Sequence, residues 1–297
     1  MLDSKLLHTL ATVIECKGFE KAASQLGVTQ SAVSQRIKQL EDHIGQPLLL
    51  RSQPLEATPA GKRLLQHFCQ LSLLEEELMA HIKPDSAGPL HSKLSLACEP
   101  DSLATWLLPA LVPLMQQHQW QLNISALPDD GNLLGMDARL CGWVSQDGRS
   151  LHGSQPMLLG SLPYACVCSH AFHHQHLAGA SEVDFGQLQA VVLNHQQSRH
   201  QSYLQQFAGF DGAFPCASVP TPEAMLQMID AGLAYGLLPQ EYLSQRTADG
   251  ALYYLPGSMQ APLYWHHWRI EPAPARQLGA ALLAARQVRN ASAVLAI

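Results

Sequence analysis

The sequence predicts an α/β protein with an N-terminal all-α winged helix-turn-helix and a long linker helix. Three observations predict it. Apolar residues recur at helical spacing from Leu6 to Ile82, with a glycine turn between two short amphipathic segments. A Pro/Ser/Gly-rich stretch, KPDSAGPLHS, runs from Lys83 to Ser92. Beyond it, from Lys93, short alternating strand patterns are interleaved with helical ones, which is the grammar of a parallel α/β sheet.

The first helix is carried by Leu6, Leu7, Leu10, Val13 and Ile14, with Asp3 or Ser4 available as cap and Gly18 at its end. A second short helix covers Glu20 to Leu26, with Ala22, Ala23 and Leu26 on one face and Gly27 as its stop. Thr29 then caps a third helix, Gln30 to His43, whose apolar face is Val33, Ile37, Leu40 and Ile44. Small Ala22 and Ala23 let the second and third helices cross closely.

With that apolar face turned inward, the third helix offers Gln30, Ser31, Ser34, Gln35, Arg36 and Lys38 to solvent. Gln and Arg can bond base edges in pairs, and Ser hydroxyls with the Thr29-capped N-terminus suit phosphate oxygens. An ordinary solvated polar face is the alternative; the preceding turn favours DNA. Leu48 to Leu50 and Leu55 to Ala57 form a short wing around Ser52, Gln53 and Pro54, with Arg51 placed for phosphate or the minor groove.

Thr58-Pro59 starts the linker helix, a hydroxyl cap followed by proline at the first helical position. Leu64, Phe68, Leu71, Leu74, Leu78 and Ile82 form one apolar seam along it. A single long helix with one seam packs on a copy of itself or covers the downstream domain, and the former is the preferred reading. The domain boundaries expected are 1–58, 59–83 for the linker, a hinge at 84–92, and 93–297.

Bulk composition sets limits. The chain has 297 residues, 47% hydrophobic and 14% charged, which suits ordinary cores and excludes disorder. No run reaches the about 18 apolar residues a membrane span needs, and the N-terminus lacks a secretory layout, so a cytoplasmic protein is expected. The net charge of −6 does not advertise nucleic-acid binding. Between Lys17 and Arg51, however, Lys17, Lys21, Arg36, Lys38 and Arg51 outnumber Glu20, Glu41 and Asp42. The seven scattered cysteines argue for reduced thiols. Cys166 and Cys168 form a C-x-C, read either as a redox or metal pair or as two small apolar side chains of a strand.

Phe19, Ala22, Ala23, Leu26, VTQSAVSQRIKQLE from Val28, Gly45, Leu48, Leu49, Arg51, Thr58 and Gly61 stand in uninterrupted register. This segment resembles the N-terminal domain of LysR-type transcriptional regulators. The run VTQSAVSQRIKQLE followed by GQPLLLR, DSLATWLLPAL from Asp101 and LYW from Leu263 further resemble the arginine/lysine-responsive branch of that family. The resemblance implies a homodimer through the linker helix, or a tetramer. It also implies a double-stranded DNA operator with dyad half-sites and a two-lobed, periplasmic-binding-protein-like effector domain. Lysine or arginine would be the effector, and genes of amino-acid export or metabolism the targets. Gln30, Ser31, Ser34, Gln35 and Arg36 then fall on the recognition helix and Arg51 on the wing.

In the second domain, Leu94, Leu96 and Cys98 alternate as a strand, followed by a helix from Asp101-Ser102 that Pro109 and Pro113 should kink or break. Further strands are expected at Leu122 to Ala126, Cys141 to Ser145, Ala165 to Cys168, Ala190 to Leu193, Ala234 to Leu238 and Leu263 to Trp268. Helices are expected at Glu223 to Ala231 and Gln277 to Val294. One lobe takes about 93–162 and 264–297, the other about 163–263, leaving a cleft at the strand ends. There a helix N-terminus and Ser102 would meet an effector carboxylate, and Glu99, Asp101, Asp147 or Glu223 a cationic side chain. By resemblance, Val144, Ser145 and Thr221 also line the effector site. Ser102 and Asp101 read equally well as helix caps.

No cofactor or metal is expected. His173, His174 and His176 lack the helical pair and carboxylate support of a metal site. His266-His267 reads as strand surface and core. No G-x-S-x-G, P-loop or H-E-x-x-H occurs, which speaks against an enzyme. The alternative function is an effector-independent nucleoid or replication-inhibiting DNA binder.

Overall fold

The computed structural model describes residues 2–50, 55–82, 93–118, 120–128, 140–150, 154–179, 183–194, 196–246 and 250–294. Helix α1 (Ser4–Glu15) opens on Asp3, whose carboxylate accepts the Lys5 amide at 2.8 Å. Helix α2 (Phe19–Leu26) stops at Gly27, held at φ 63°, where a side chain would be strained. Helix α3 (Gln30–Ile44) starts on the Thr29 hydroxyl, which accepts the Ala32 amide at 3.2 Å, and ends on Gly45. Leu7, Leu10, Val13, Ala22, Ala23, Val33, Ile37 and Leu40 pack into one core. The two buried alanines let α2 and α3 meet, completing the helix-turn-helix.

Strands β1 (Leu49–Leu50) and β2 (Glu56–Ala57) pair antiparallel, Leu49 opposite Ala57, and make the base of the wing. Arg51, expected on the wing, lies outside the described residues, as does the 84–92 hinge. Helix α4 (Pro59–Ile82) is tied to the wing at its first turn. The Thr58 hydroxyl accepts the Gly61 amide at 3.1 Å and donates to the Pro47 carbonyl at 2.9 Å. A Cβ on Gly61 would lie 2.2 Å from the Leu48 carbonyl oxygen, so only glycine fits. Leu65 is buried against the N-terminal core, while Leu71, Leu78 and Ile82 of the seam are exposed.

Among the described residues, the second region forms one mixed sheet of eight strands in the order β4-β3-β5-β10-β6-β9-β7-β8. Strands β3 (Lys93–Cys98), β4 (Gln121–Ala126) and β5 (Leu140–Ser145) form one flank, with β3 parallel to both neighbours. Strands β7 (Ala190–Leu193), β8 (Cys216–Val219) and β9 (Tyr235–Pro239) form the other. Between them run two long antiparallel strands, β6 (Ser154–Ser169) and β10 (Leu252–Trp268), paired from Leu252 opposite Ser169 to Trp268 opposite Ser154. The segments expected as separate short strands, Ala165 to Cys168 and Leu263 to Trp268, are the ends of this ribbon. Their apolar content marked only the buried ends; the exposed middle of β10 (Pro256 to Ser258) carries no such signal.

Strand alternation puts Cys166 and Cys168 in one core with Tyr203 and Tyr235, and Ala165 and Val167 in the opposite core with Val191 and Ile229. Both thiols are fully buried and their pKa values are pushed up by burial, that of Cys168 to about 11. This is the apolar reading of the C-x-C, since the reactive thiolate is disfavoured.

The helix from Asp101 departs from expectation. α5 (Pro100–Ser102), a π-helical turn (Leu103–Leu107) and α6 (Leu108–His118) follow without a break, and Pro113 lies inside the last of these. The widened turn ends just before Pro109, and the Thr105 hydroxyl donates to the Asp101 carbonyl at 2.7 Å, so backbone acceptors keep partners. Trp106, Leu107 and Leu111 pack this helical run against Leu278 and Leu282 of α11 (Ala273–Val294). Short helices α7 (His170–His176), α8 (Gln197–Tyr203), α9 (Pro222–Asp230) and α10 (Gln240–Arg246) complete the order. α7, α8 and α10 have seven residues each, too short for a periodic signal. Among the described residues no helix is long and apolar enough to cross a membrane, and no cluster of three His, Cys, Asp or Glu could hold a metal ion.

Candidate functional site

Two surfaces gather the residues singled out from the sequence. The first is the outer face of α3. Gln30, Ser31, Ser34, Gln35 and Lys38 are exposed there, opposite buried Val33, Ile37 and Leu40. Thr29 is also exposed, but its hydroxyl is occupied by the Ala32 amide and by Ser31 Oγ at 3.0 Å. Arg36 is set back: it is half-buried, and its Nη1 leans 3.5 Å from the Thr9 hydroxyl of α1. Its position one residue before core Ile37 brings the stem against the helix pair, whereas neighbouring Gln35 is exposed.

The second surface lies where β3 and β5 end against β6 and α8. Glu99 and Asp101 leave β3 on either side of Pro100, and Ser102 follows. Glu99 Oε1 accepts the Gln146 amide at 2.8 Å, just past β5. The Tyr164 hydroxyl, from β6, donates to Asp101 Oδ2 at 2.5 Å and accepts from Gln146 Nε2 at 2.9 Å. Arg199, from α8, places Nη1 3.3 Å from Asp101 Oδ2 and donates from Nη2 to Gln146 Oε1 at 2.5 Å. Its guanidinium carbon lies 4.3 Å from the centre of the Tyr164 ring, a cation–π contact. Residues from both flanks of the sheet thus share one polar network.

Burial governs the electrostatics of this network. It raises the Glu99 pKa to about 7, against the opposing pull of the Gln146 amide and Arg199 and with help from Asp101 and Asp147. Asp101 is also raised by burial, with Arg199 and the Tyr164 hydroxyl opposing. Among the described residues, Glu99 Oε2 and Ser102 Oγ are buried without a hydrogen-bond partner. Such groups carry a desolvation cost that a donor-rich ligand would relieve. Next to Arg199, burial drives the His200 pKa down to about 4, so this imidazole stays neutral.

The remaining expected effector residues divide. Val144 is buried, and its carbonyl accepts the Glu99 amide at 3.3 Å, so it frames the cluster. Ser145 is buried but turned to His266 Nε2 at 3.0 Å and the Asp147 carbonyl at 3.1 Å. Asp147 itself pairs with exposed Arg149 at 2.5 Å, leaving it on the rim. Thr221 caps α9 through the Ala224 amide at 3.2 Å, and Glu223 is exposed in the first turn. Among the described residues neither bonds to the Glu99–Asp101 cluster. Asp101 is not a helix cap: the cap position is Glu99, and Asp101 points into the network.

Residues 4–62 match the family of the bacterial regulatory helix-turn-helix protein, lysR family. Over 289 residues the chain is 40% identical to the HTH-type transcriptional regulator ArgP of Aeromonas salmonicida, covering 95% of this chain and 96% of that one. The chain is a LysR-type transcriptional regulator. Two solved structures resemble this LysR-type regulator over nearly its whole length. ArgP from Mycobacterium tuberculosis is 28% identical with a TM-score of 0.85, covering 96% of this chain and 98% of that one. LysG from Corynebacterium glutamicum, solved with arginine bound as effector, is 26% identical with a TM-score of 0.78 over the same shares.

Sequence reasoning missed Gln146, Tyr164 and Arg199 in this LysR-type regulator. A signal for Arg199 existed: it is the only Lys or Arg between Arg149 and Arg246. A lone cation in so long a stretch without another Lys or Arg requires a carboxylate partner if it is buried. Nothing local named Asp101, 98 positions away, as that partner.

Proposed function

We propose that this regulator binds a basic amino acid, lysine or arginine, between the two flanks of its sheet and thereby controls genes of amino-acid export or metabolism. The observation that carries this reading is the pair of half-buried Glu99 and buried Asp101, with the buried Glu99 Oε2 and Ser102 Oγ unpartnered beside it among the described residues. Two carboxyl groups close together call for cationic donors, because a buried charge without a partner is costly. The arginine held by the LysG relative and the ArgP relatives support the same chemistry. Val144 and Ser145 frame the site; Thr221 and Glu223 would join it only if α9 approached from the other flank.

At the other end, Gln30 and Gln35 read base edges, while Thr29, Ser31, Ser34, half-buried Arg36, Lys38 and Arg51 serve phosphates. Exposed Leu71, Leu78 and Ile82 of α4 pair two copies into a homodimer, from which tetramers can form. A dimer presents two α3 helices, so operators should carry dyad half-sites about 34–36 Å apart or a multiple of that. The domains are 1–58, 59–83 and 93–297, and the site of action is cytoplasmic DNA. An effector coupling of about 1–3 kcal/mol suffices to switch such an assembly.

A melting-temperature screen against the twenty amino acids tests the reading. At about 100 times its dissociation constant, a ligand adds ~2.7 kcal/mol of stability, so arginine or lysine should give the largest upward shift. No shift with either would refute the assignment and favour an effector-independent DNA binder.

A further inference from the structure

The polar network at the cleft already contains a cation. Arg199 reaches from α8 to the far flank, where Asp101 Oδ2, Gln146 Oε1 and the Tyr164 ring face hold it. These are the contacts an arginine or lysine head group would want. The cavity beside Arg199, lined by Val191, Val192, Gln196, His200 and Leu237, holds about 10 Å³. That is room for one water, and neither Glu99 nor Asp101 lines it.

We propose that Arg199 is a tethered competitor of the effector: it fills the cation position in the unliganded regulator, and a basic amino acid binds by expelling it. The inference rests on the basic-amino-acid reading and deepens it. A guanidinium has five donors in a fixed fork. With Arg199 in place, the buried acceptors without a partner near it, among the described residues, are Glu99 Oε2, Ser102 Oγ and Gln196 Oε1, fewer than the five donors of a second guanidinium. Displacement frees Asp101 Oδ2, Gln146 Oε1 and the Tyr164 face for the incoming head group, and Glu99 and Ser102 add acceptors that Arg199 never reaches. The ligand therefore gains more partners than Arg199 loses.

Two consequences follow from the geometry. Arg199 sets a threshold, since the effector's affinity is its intrinsic affinity reduced by the fraction of molecules in which the cation position is empty. Arg199 also selects: a neutral amino acid cannot replace a cation beside Asp101 and leaves the latch closed. Expelling Arg199 breaks the ion pair that joins the two flanks of the sheet, so ligand chemistry is converted into a change at the inter-flank contact.

Calorimetric titration of the full chain with L-arginine, agmatine and L-glutamine tests this, in the wild type and in Arg199→Met. Arg199→Met keeps the stem's packing and removes the charge. It should bind L-arginine and agmatine at least about ten-fold tighter than the wild type, with no gain for L-glutamine; a tenfold change is ~1.4 kcal/mol. Arg199→Lys, which keeps a charge but lacks the fork, should fall between the two and serves if the Met variant does not fold. Arginine binding that is unchanged or weaker in the variants would overturn the proposal, and weaker binding of L-arginine with agmatine unaffected would make Arg199 an anchor for the effector carboxylate. Failure of wild type and variants alike to bind either cation would instead overturn the basic-effector reading itself, and this inference with it.

Discussion

Glu99→Gln should change how the stability of this regulator depends on pH. In the folded chain burial holds the Glu99 pKa at about 7 instead of its ordinary 4.5. A shift of that size corresponds to about 3 kcal/mol between the protonation states. Because the folded value is the higher one, the folded chain keeps the proton longer. Stability from this group is full below about pH 4.5 and is lost as pH rises through about 7. Glutamine imitates the protonated carboxyl: its Oε1 can still accept the Gln146 amide, which Glu99 Oε1 holds at 2.8 Å. The variant should therefore match the wild type near pH 5 and exceed it at pH 8 by up to about 3 kcal/mol. At ~2–4 °C per kcal/mol for a domain of this size, the melting temperatures should separate by several degrees. Thermal melts of both proteins without ligand, at pH 5, 6, 7 and 8, read this directly. Asp101, Asp147, Arg199 and the nearby His266 titrate or act in both proteins, so the difference isolates Glu99. Parallel curves from pH 5 to pH 8 would show that burial does not govern this carboxyl and would refute the reasoning.

Three further expectations concern the DNA-reading end. Gly61→Ala puts a methyl group 2.2 Å from the backbone oxygen of Leu48, which cannot swing away as a side chain would. It should cost about 1–3 kcal/mol by overpacking and loosen the wing from α4, seen as a lower melting temperature and weaker operator binding. In electrophoretic binding assays Gln35→Ala should relax base preference at one position of each half-site, at a cost of ~1–3 kcal/mol. Arg36→Ala, whose side chain leans on Thr9, should weaken binding evenly across sequences. The reverse pattern would exchange the roles of the two residues.

The amino-acid sequence by itself determined the N-terminal half of this account. Apolar spacing, a Thr cap and glycine stops are local signals, and each reports on residues within a turn or two of itself. Helices α1 to α3, the wing and α4 accordingly stand close to where the pattern places them. The same holds for strands β3, β5, β7 and β9, whose alternation is local, and for the buried C-x-C. The long β6–β10 ribbon could not be read this way, because its exposed middle lacks the apolar signature of its ends. The effector site was legible only in part. Glu99, Asp101 and Ser102 stand out as an acidic and hydroxyl cluster at a helix start, but their partners come from β6, α8 and the end of β5. Only the folded sheet decides that Arg199 meets Asp101, since a contact spanning 98 positions depends on how strands are ordered and not on any periodicity along the chain. The charge of Arg199 was in the sequence; the carboxylate it answers was chosen by topology.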